Sequence, residues 1–322
     1  MTRNRVFLAL VLASTLIVLI GLLRPDAMRT VSREKWFWTW KTHSDRKFDV
    51  VFVGDSRTYR GISPESMTDI LQGIRILNFG YSSGSLSALM LGEAERRLDP
   101  AGRRIIVLGV TPSSLTPRAA RDEQYRQEKN RTSSEIIENL YLSPFLTYFD
   151  PTTPIRFFEE IGSRKARFRE AFYESGWVAG WKEPAGPPGS IGVFANDFTG
   201  NAVSPMLVDN VLRQTEAWTR EGIRVYAFRP PTSPEMTDLE KRLSGFDEET
   251  FRQRFTRAGG VWVDVARAGY RSYDHSHLDK ESAETLSRLV AEIIGRSMGE
   301  PLVFPAQDSV SPSPGAARPG GA

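Results

Sequence analysis

Val51-Phe52-Val53-Gly54-Asp55-Ser56-Arg57 decides how the rest of the chain is read. A β-branched and aromatic run stops at Gly54, and a serine follows two residues later. The pattern describes a buried strand ending in a tight turn, with a hydroxyl held at its tip. A second stretch, Tyr273-Asp274-His275-Ser276-His277-Leu278, brings a carboxylate and two imidazoles just ahead of a helical pattern. Serine, aspartate and histidine placed this way point to acyl-ester chemistry through a nucleophilic serine.

Outward from Val51, short apolar runs alternate with amphipathic stretches. Strands are expected at Phe48–Val53, Ile74–Phe79, Arg104–Val110, Ile223–Phe228 and Val261–Val265. Helices are expected at Pro64–Leu71, Leu86–Leu98, Pro205–Glu221, Pro234–Ala258 and Lys280–Arg296. That alternation implies βαβ units and a mainly parallel, five-stranded sheet. In the last helix Leu286, Leu289, Val290, Ile293 and Ile294 recur at helical spacing, with Asp279 placed to cap its start.

Residues 116–196 break the alternation. They are charged at first, then aromatic from Tyr141 to Trp181, then Pro/Gly-rich from Lys182 to Ser190. Two readings stand: a helical insertion that covers the site, or a satellite hydrophobic cluster. The expected organisation is an anchor at 1–25, a juxtamembrane connector at 26–46, an α/β domain at 47–300 and a disordered Pro/Ser/Gly/Ala tail at 301–322. Trp36, Trp38 and Trp40 in the connector read as an interfacial belt or as packing against the domain.

The balance of 42 basic against 39 acidic residues, with no basic patch interleaved by aromatics, gives no case for nucleic acid. The absence of cysteine excludes disulfides, thiolate catalysis and Cys-ligated metals. Near the amino terminus, Val6–Leu23 is an apolar run bounded by Arg3 and Arg5 on one side and Arg24-Pro25 on the other. At 1.5 Å per residue it rises about 27 Å, against roughly 30 Å of hydrocarbon. No small-x-small cleavage pattern follows it, so an uncleaved transmembrane helix is expected, with the globular part outside the cytoplasm, on the periplasmic or cell-surface side.

In a parallel sheet, ligands bind beyond the carboxyl ends of the strands. Ser56 sits at one such end and Gly80 at another, so their amides are candidates for an oxyanion hole. Only three histidines occur, His43, His275 and His277, and two of them lie beside Asp274. In Asp274-x-x-His277 both side chains can converge on one side of a turn, where the carboxylate would orient the imidazole. The plainer readings are that Ser56 only caps a turn and that the histidines are merely exposed. No His/Cys cluster completes a metal site, and no cofactor is implied.

Gly54-Asp55-Ser56, Asn78-Phe79-Gly80 and Asp274-x-x-His277-Leu278, in this order, resemble the three blocks of the SGNH (GDSL-type) hydrolase superfamily. The resemblance covers roughly Phe48 to Arg296 without the insertion. It implies a flavodoxin-like three-layer α/β/α sandwich, Ser56 as nucleophile, His277 as base, Asp274 as its orienter, and Ser56 and Gly80 as oxyanion donors. The chain departs from the family where a Gly-x-Asn-Asp block is usual, reading Gly109-Val110-Thr111-Pro112-Ser113-Ser114 instead. Thr111, Ser113 or Ser114 could donate in place of the missing asparagine, or the hole has two donors only. The amino-terminal apolar run and Phe228-Arg229-Pro230-Pro231 resemble the membrane-anchored branch that O-acylates cell-envelope polysaccharides. That branch implies an acyl donor, a polysaccharide or other hydroxyl acceptor, and a multispanning acyltransferase as partner. Arg229 would face substrate, or else form a structural salt bridge. Two rivals remain: an esterase or lipase using the same residues, and a non-catalytic envelope protein that binds glycan or scaffolds a complex.

Overall fold

The computed structural model describes residues 3–22, 30–122, 124–146 and 167–299. Its strands are β1 (Val50–Gly54), β2 (Ile76–Gly80), β3 (Ile105–Gly109), β4 (Arg167–Phe172), β5 (Val178–Glu183), β6 (Arg224–Phe228) and β7 (Val261–Trp262). Five of them pair in parallel in the order β2-β1-β3-β6-β7, while β4 and β5 form a separate antiparallel hairpin.

The main helices are α1 (Arg3–Leu22), α2 (Thr30–His43), α3 (Ser56–Gly61), α4 (Pro64–Thr68), α5 (Ala88–Arg96), α6 (Pro205–Arg220), α7 (Pro234–Leu243), α8 (Glu248–Arg257) and α9 (Lys280–Met298). Alternate residues of the sheet face opposite ways. Val51, Val53, Leu77, Phe79, Ile106 and Leu108 pack with α2, α5, α6 and α8. Val50, Phe52, Ile76, Ile105, Val107 and Tyr226 pack with α4, α9 and the hairpin. A sheet covered on both faces needs apolar side chains on both, which is why its strands read as unbroken runs.

The chain leaves β1 through α3 and α4 to reach β2 on one side, then returns through α5 to β3 on the other. That reversal opens a crevice beyond the carboxyl ends of β1 and β3. The helix α3 sits directly on those ends: a Cβ at Gly54 would meet Thr58 Oγ1 at 2.1 Å and the Gly109 carbonyl at 2.9 Å. Ser56 is therefore fixed over the crevice.

Several expectations need correcting. Among the described residues no helix is long and apolar enough to cross a membrane. The transmembrane helix of the expected fold class is withdrawn, and with it the single-pass topology and the extracytoplasmic placement built on it. The stretch read as a connector holds α2, whose Phe37 and Trp38 are buried in the core. The single helix expected over Pro234–Ala258 is two. Gly245 at φ +69° breaks it, and Asp247 caps α8 by accepting from the Thr250 amide.

The insertion is not simply helical. Short helical turns lead into the β4–β5 hairpin, whose Ser175 carbonyl accepts from the Asn78 amide of edge strand β2 (2.8 Å). Tyr148, Phe149, Phe157, Phe158 and the tail expected at 301–322 lie outside the described residues.

Candidate active site

Asp55 terminates β1 in an extended conformation and caps α3, its Oδ1 accepting from the Arg57 amide at 3.0 Å. Its Oδ2 accepts from the hydroxyls of Thr111 and Ser113, the latter at 2.8 Å. The buried carboxylate thus clamps the end of β1 to the loop after β3. Ser56 follows as the first helical residue, so its amide is one of the N–H groups that a helix leaves without an internal acceptor.

Two remote segments meet here. Ser56 Oγ lies 2.7 Å from His277 Nε2, and His277 Nδ1 lies 2.7 Å from Asp274 Oδ2. Asp274 Oδ1 accepts from the amides of Ser276 (3.0 Å) and His277 (2.8 Å), which closes the turn on itself. Burial raises the Asp274 carboxyl. The His277 ring, as hydrogen-bond partner and as charge, and the two amides outweigh that and hold it down at about 2. The Tyr273 ring stacks on the imidazole, with centroids 5.9 Å apart and planes 16° off parallel. His275 takes the left-handed conformation, φ +75°, which a non-glycine residue adopts at a cost. It is held there by Ser233 Oγ at Nδ1 (3.1 Å) and the Gly189 carbonyl at Nε2 (3.0 Å). A hydroxyl, imidazole and carboxylate so aligned can move a proton from oxygen to nitrogen as the oxygen attacks.

Ser56 and His277 open onto a cleft of about 230 Å³. Ser82, Ser83 and Gly84 line one wall, and Ser113, Thr116, Arg118 and Ala119 another. Phe194, Asp197, Phe198, Asn201 and Met236 also line it, and Asp55, Arg57 and Ser276 border it beside Ser56 and His277. Arg118 donates to the carbonyls of Asn196 (3.0 Å) and Thr199 (3.2 Å), so the end of the insertion is tied to the rim.

The other expected site residues are placed differently. The Gly80 amide donates to Asn78 Oδ1 at 3.1 Å, and Gly80 is not among the residues lining the cleft. Asn78 Nδ2 donates to the carbonyls of Thr58 and Ile62, so this block anchors α3. Thr111 is fully buried against Asp55, and only Ser113 of that pair borders the cleft. Ser114 Oγ donates to the Thr111 carbonyl. Arg229 pairs with Glu240 (2.6 Å) and Glu248 (3.2 Å) away from the cleft. His43 lies 3.0 Å from the Glu128 carbonyl, apart from the site. Among the described residues no group of His, Asp and Glu could hold a metal ion.

Sequence reasoning missed Arg57, Ser276 and Glu240. Arg57 Nε donates to Ser276 Oγ at 2.9 Å, and Nη2 pairs with Glu240 at 2.8 Å. A charge directly after the serine, and a glutamate one turn beyond Met236 on an apolar helix face, were the available signals.

No family model matches the chain, and no curated protein matches it. Among solved structures the chain is similar to one from Streptococcus pneumonia, described provisionally as a platelet activating factor. Identity is 11%, the match covers 88% of this chain and 99% of that chain, and the TM-score is 0.37. That is a distant structural link, and at this TM-score it carries no argument about chemistry. Nothing in these comparisons supports the membrane-anchored, polysaccharide-acylating branch, and that expectation is withdrawn together with the transmembrane helix.

Proposed function

We propose that this protein is a serine-dependent enzyme of acyl-ester chemistry, with Ser56 as nucleophile, His277 as general base and Asp274 as the group that orients the imidazole. The observation that carries the reading is the pair of 2.7 Å contacts that joins Ser56 Oγ to His277 and His277 to Asp274. As Ser56 Oγ attacks an ester carbonyl, its proton passes to His277 Nε2. The tetrahedral intermediate collapses, the proton goes to the departing alkoxide, and the acyl group stays on Ser56. A second hydroxyl, of water or of an alcohol, then takes up the acyl group while His277 accepts its proton and returns it to Ser56. Asp274, anionic down to about pH 2, stabilises the imidazolium that forms in both halves.

The oxyanion donor in this reading is the Ser56 amide, because the Gly80 amide is given to Asn78 Oδ1 and the Ser113 hydroxyl to Asp55 Oδ2. A hole with one strong donor in place of two loses about 10²–10³ in turnover. Modest turnover is therefore expected. The test is a fluorophosphonate probe with mass mapping of the adduct. The wild type should carry one adduct on Ser56, and Ser56→Ala should carry none. A folded wild type that stays unlabelled under prolonged excess of probe overturns the reading in favour of a non-catalytic protein.

A further inference from the structure

Arg57 directly follows Ser56, yet its side chain is only 4% exposed. Its guanidinium touches two other elements. Nε reaches Ser276 Oγ inside the turn that Asp274 closes, and Nη2 reaches Glu240 on α7. Glu240 is 1% exposed and holds Arg229, which extends to Glu248 on α8. A charge chain, Arg57–Glu240–Arg229–Glu248, buried at its first two members and half-buried at the last two, thus runs from the residue after Ser56 to the elements that follow β6. Taking such charges out of water is costly, and apolar residues would fill the same space at lower cost.

The pairing supplies a reason for the arrangement. Ser56 meets His277, and the next residue, Arg57, meets Ser276, one before His277. A single contact between two remote segments leaves a pivot. Two neighbouring contacts fix both distance and orientation. We infer that Arg57 is a positioning residue: through Ser276 it holds the Asp274–His277 turn in register with the Ser56 hydroxyl, and Glu240 fixes its charge in place. The inference rests on Ser56 being the nucleophile.

The test measures the second-order rate of fluorophosphonate labelling, kcat and KM on a nitrophenyl ester, and the thermal midpoint, for the wild type, S276A, R57K, R57Q and the R57Q/S276A double variant. S276A should label about 10-fold more slowly, with the loss in kcat and KM within about twofold. R57K keeps a charge toward Glu240 but lacks the planar fork. It should hold its thermal midpoint better than R57Q and still lose about 10-fold in rate. If the two side chains act as one contact, the double variant labels within about twofold of R57Q alone. Wild-type labelling in S276A, full activity in R57K, or losses that multiply in the double variant would overturn the inference while Ser56 remains the nucleophile. Should R57Q fail to fold, S276A and R57K still decide it. An unlabelled wild type fails the nucleophile reading itself, and the inference falls with it.

Discussion

An aspartate three residues ahead of a histidine determines how the imidazole stands. Asp274 accepts from the ring nitrogen of His277 and from two amides of its own turn, so one carboxylate shapes the loop and aims the imidazole. Its folded pKa of about 2, against an ordinary 3.8, is also a statement about stability. The carboxyl is depressed on folding, so the stabilisation is present above about pH 4 and is lost as pH falls toward 2, amounting to about 2 kcal/mol. Asp274→Asn should lower turnover by about 10³–10⁴-fold, because the amide no longer holds the reactive tautomer. The same variant should be less stable than wild type at pH 7, with the gap closing as pH falls from 4 toward 2. Urea unfolding at pH 7, 4 and 2.5 measures this, and a gap that stays constant with pH would count against the assigned ionisation.

At the scale of elements, α2 is bound to the domain by an unusual contact. Lys41 is 1% exposed, and its Nζ donates to the carbonyls of Gly80 (2.6 Å) and Gly176 (2.8 Å). The rings of Phe37, Trp38, Tyr59 and Tyr81 surround it with centroids 4.9–5.7 Å away. One amine thereby joins α2, the end of β2 and the turn of the β4–β5 hairpin. That turn fits closely: Gly176 has φ +91°, and a Cβ there would meet the Asn78 carbonyl at 2.0 Å. Burial, with Arg97 adding to it, pulls the Lys41 ammonium well below its ordinary range. A base depressed on folding binds fewer protons folded than unfolded, so stability rises with pH until the unfolded lysine also loses its proton near 10.4. Lys41→Met removes that titration. Urea unfolding at pH 7 and 9.5 should show wild type gaining on the variant as pH rises. Parallel pH dependences for the two proteins would refute the assignment.

Across the whole molecule, what the sequence revealed was what burial imposes on it. Val50–Gly54 and Ile105–Gly109 were legible because a sheet covered on both faces needs unbroken apolar runs. Their ends moved by one or two residues because pairing register, not hydrophobicity, sets where a ladder starts. Apolarity misled at Val6–Leu23, where composition alone suggested a span, and over Pro234–Ala258, where Met236, Leu239, Phe251 and Phe255 keep helical spacing across the Gly245 break. Ser56, Asp274 and His277 were readable as short motifs. The committed Gly80 amide was not, because it depends on which acceptor Asn78 presents. Arg57 and Glu240 were hidden for a related reason: a charge in an amphipathic helix is ordinarily read as facing water, and these two face each other. Glu240 is the shared counter-charge of Arg57 and Arg229. Burial pushes its carboxyl up, and the two guanidiniums more than reverse that, so it stays ionised. Glu240→Gln leaves Arg57 buried with no carboxylate at ion-pair distance among the described residues and Arg229 with Glu248, an undercompensated charge worth about 3–5 kcal/mol. Urea unfolding of this variant should show a loss of that order. Replacing exposed Glu216, whose partner Arg220 is exposed as well, should cost under about 1 kcal/mol. If the two substitutions cost the same, the charge chain does not hold α3 to the elements after β6.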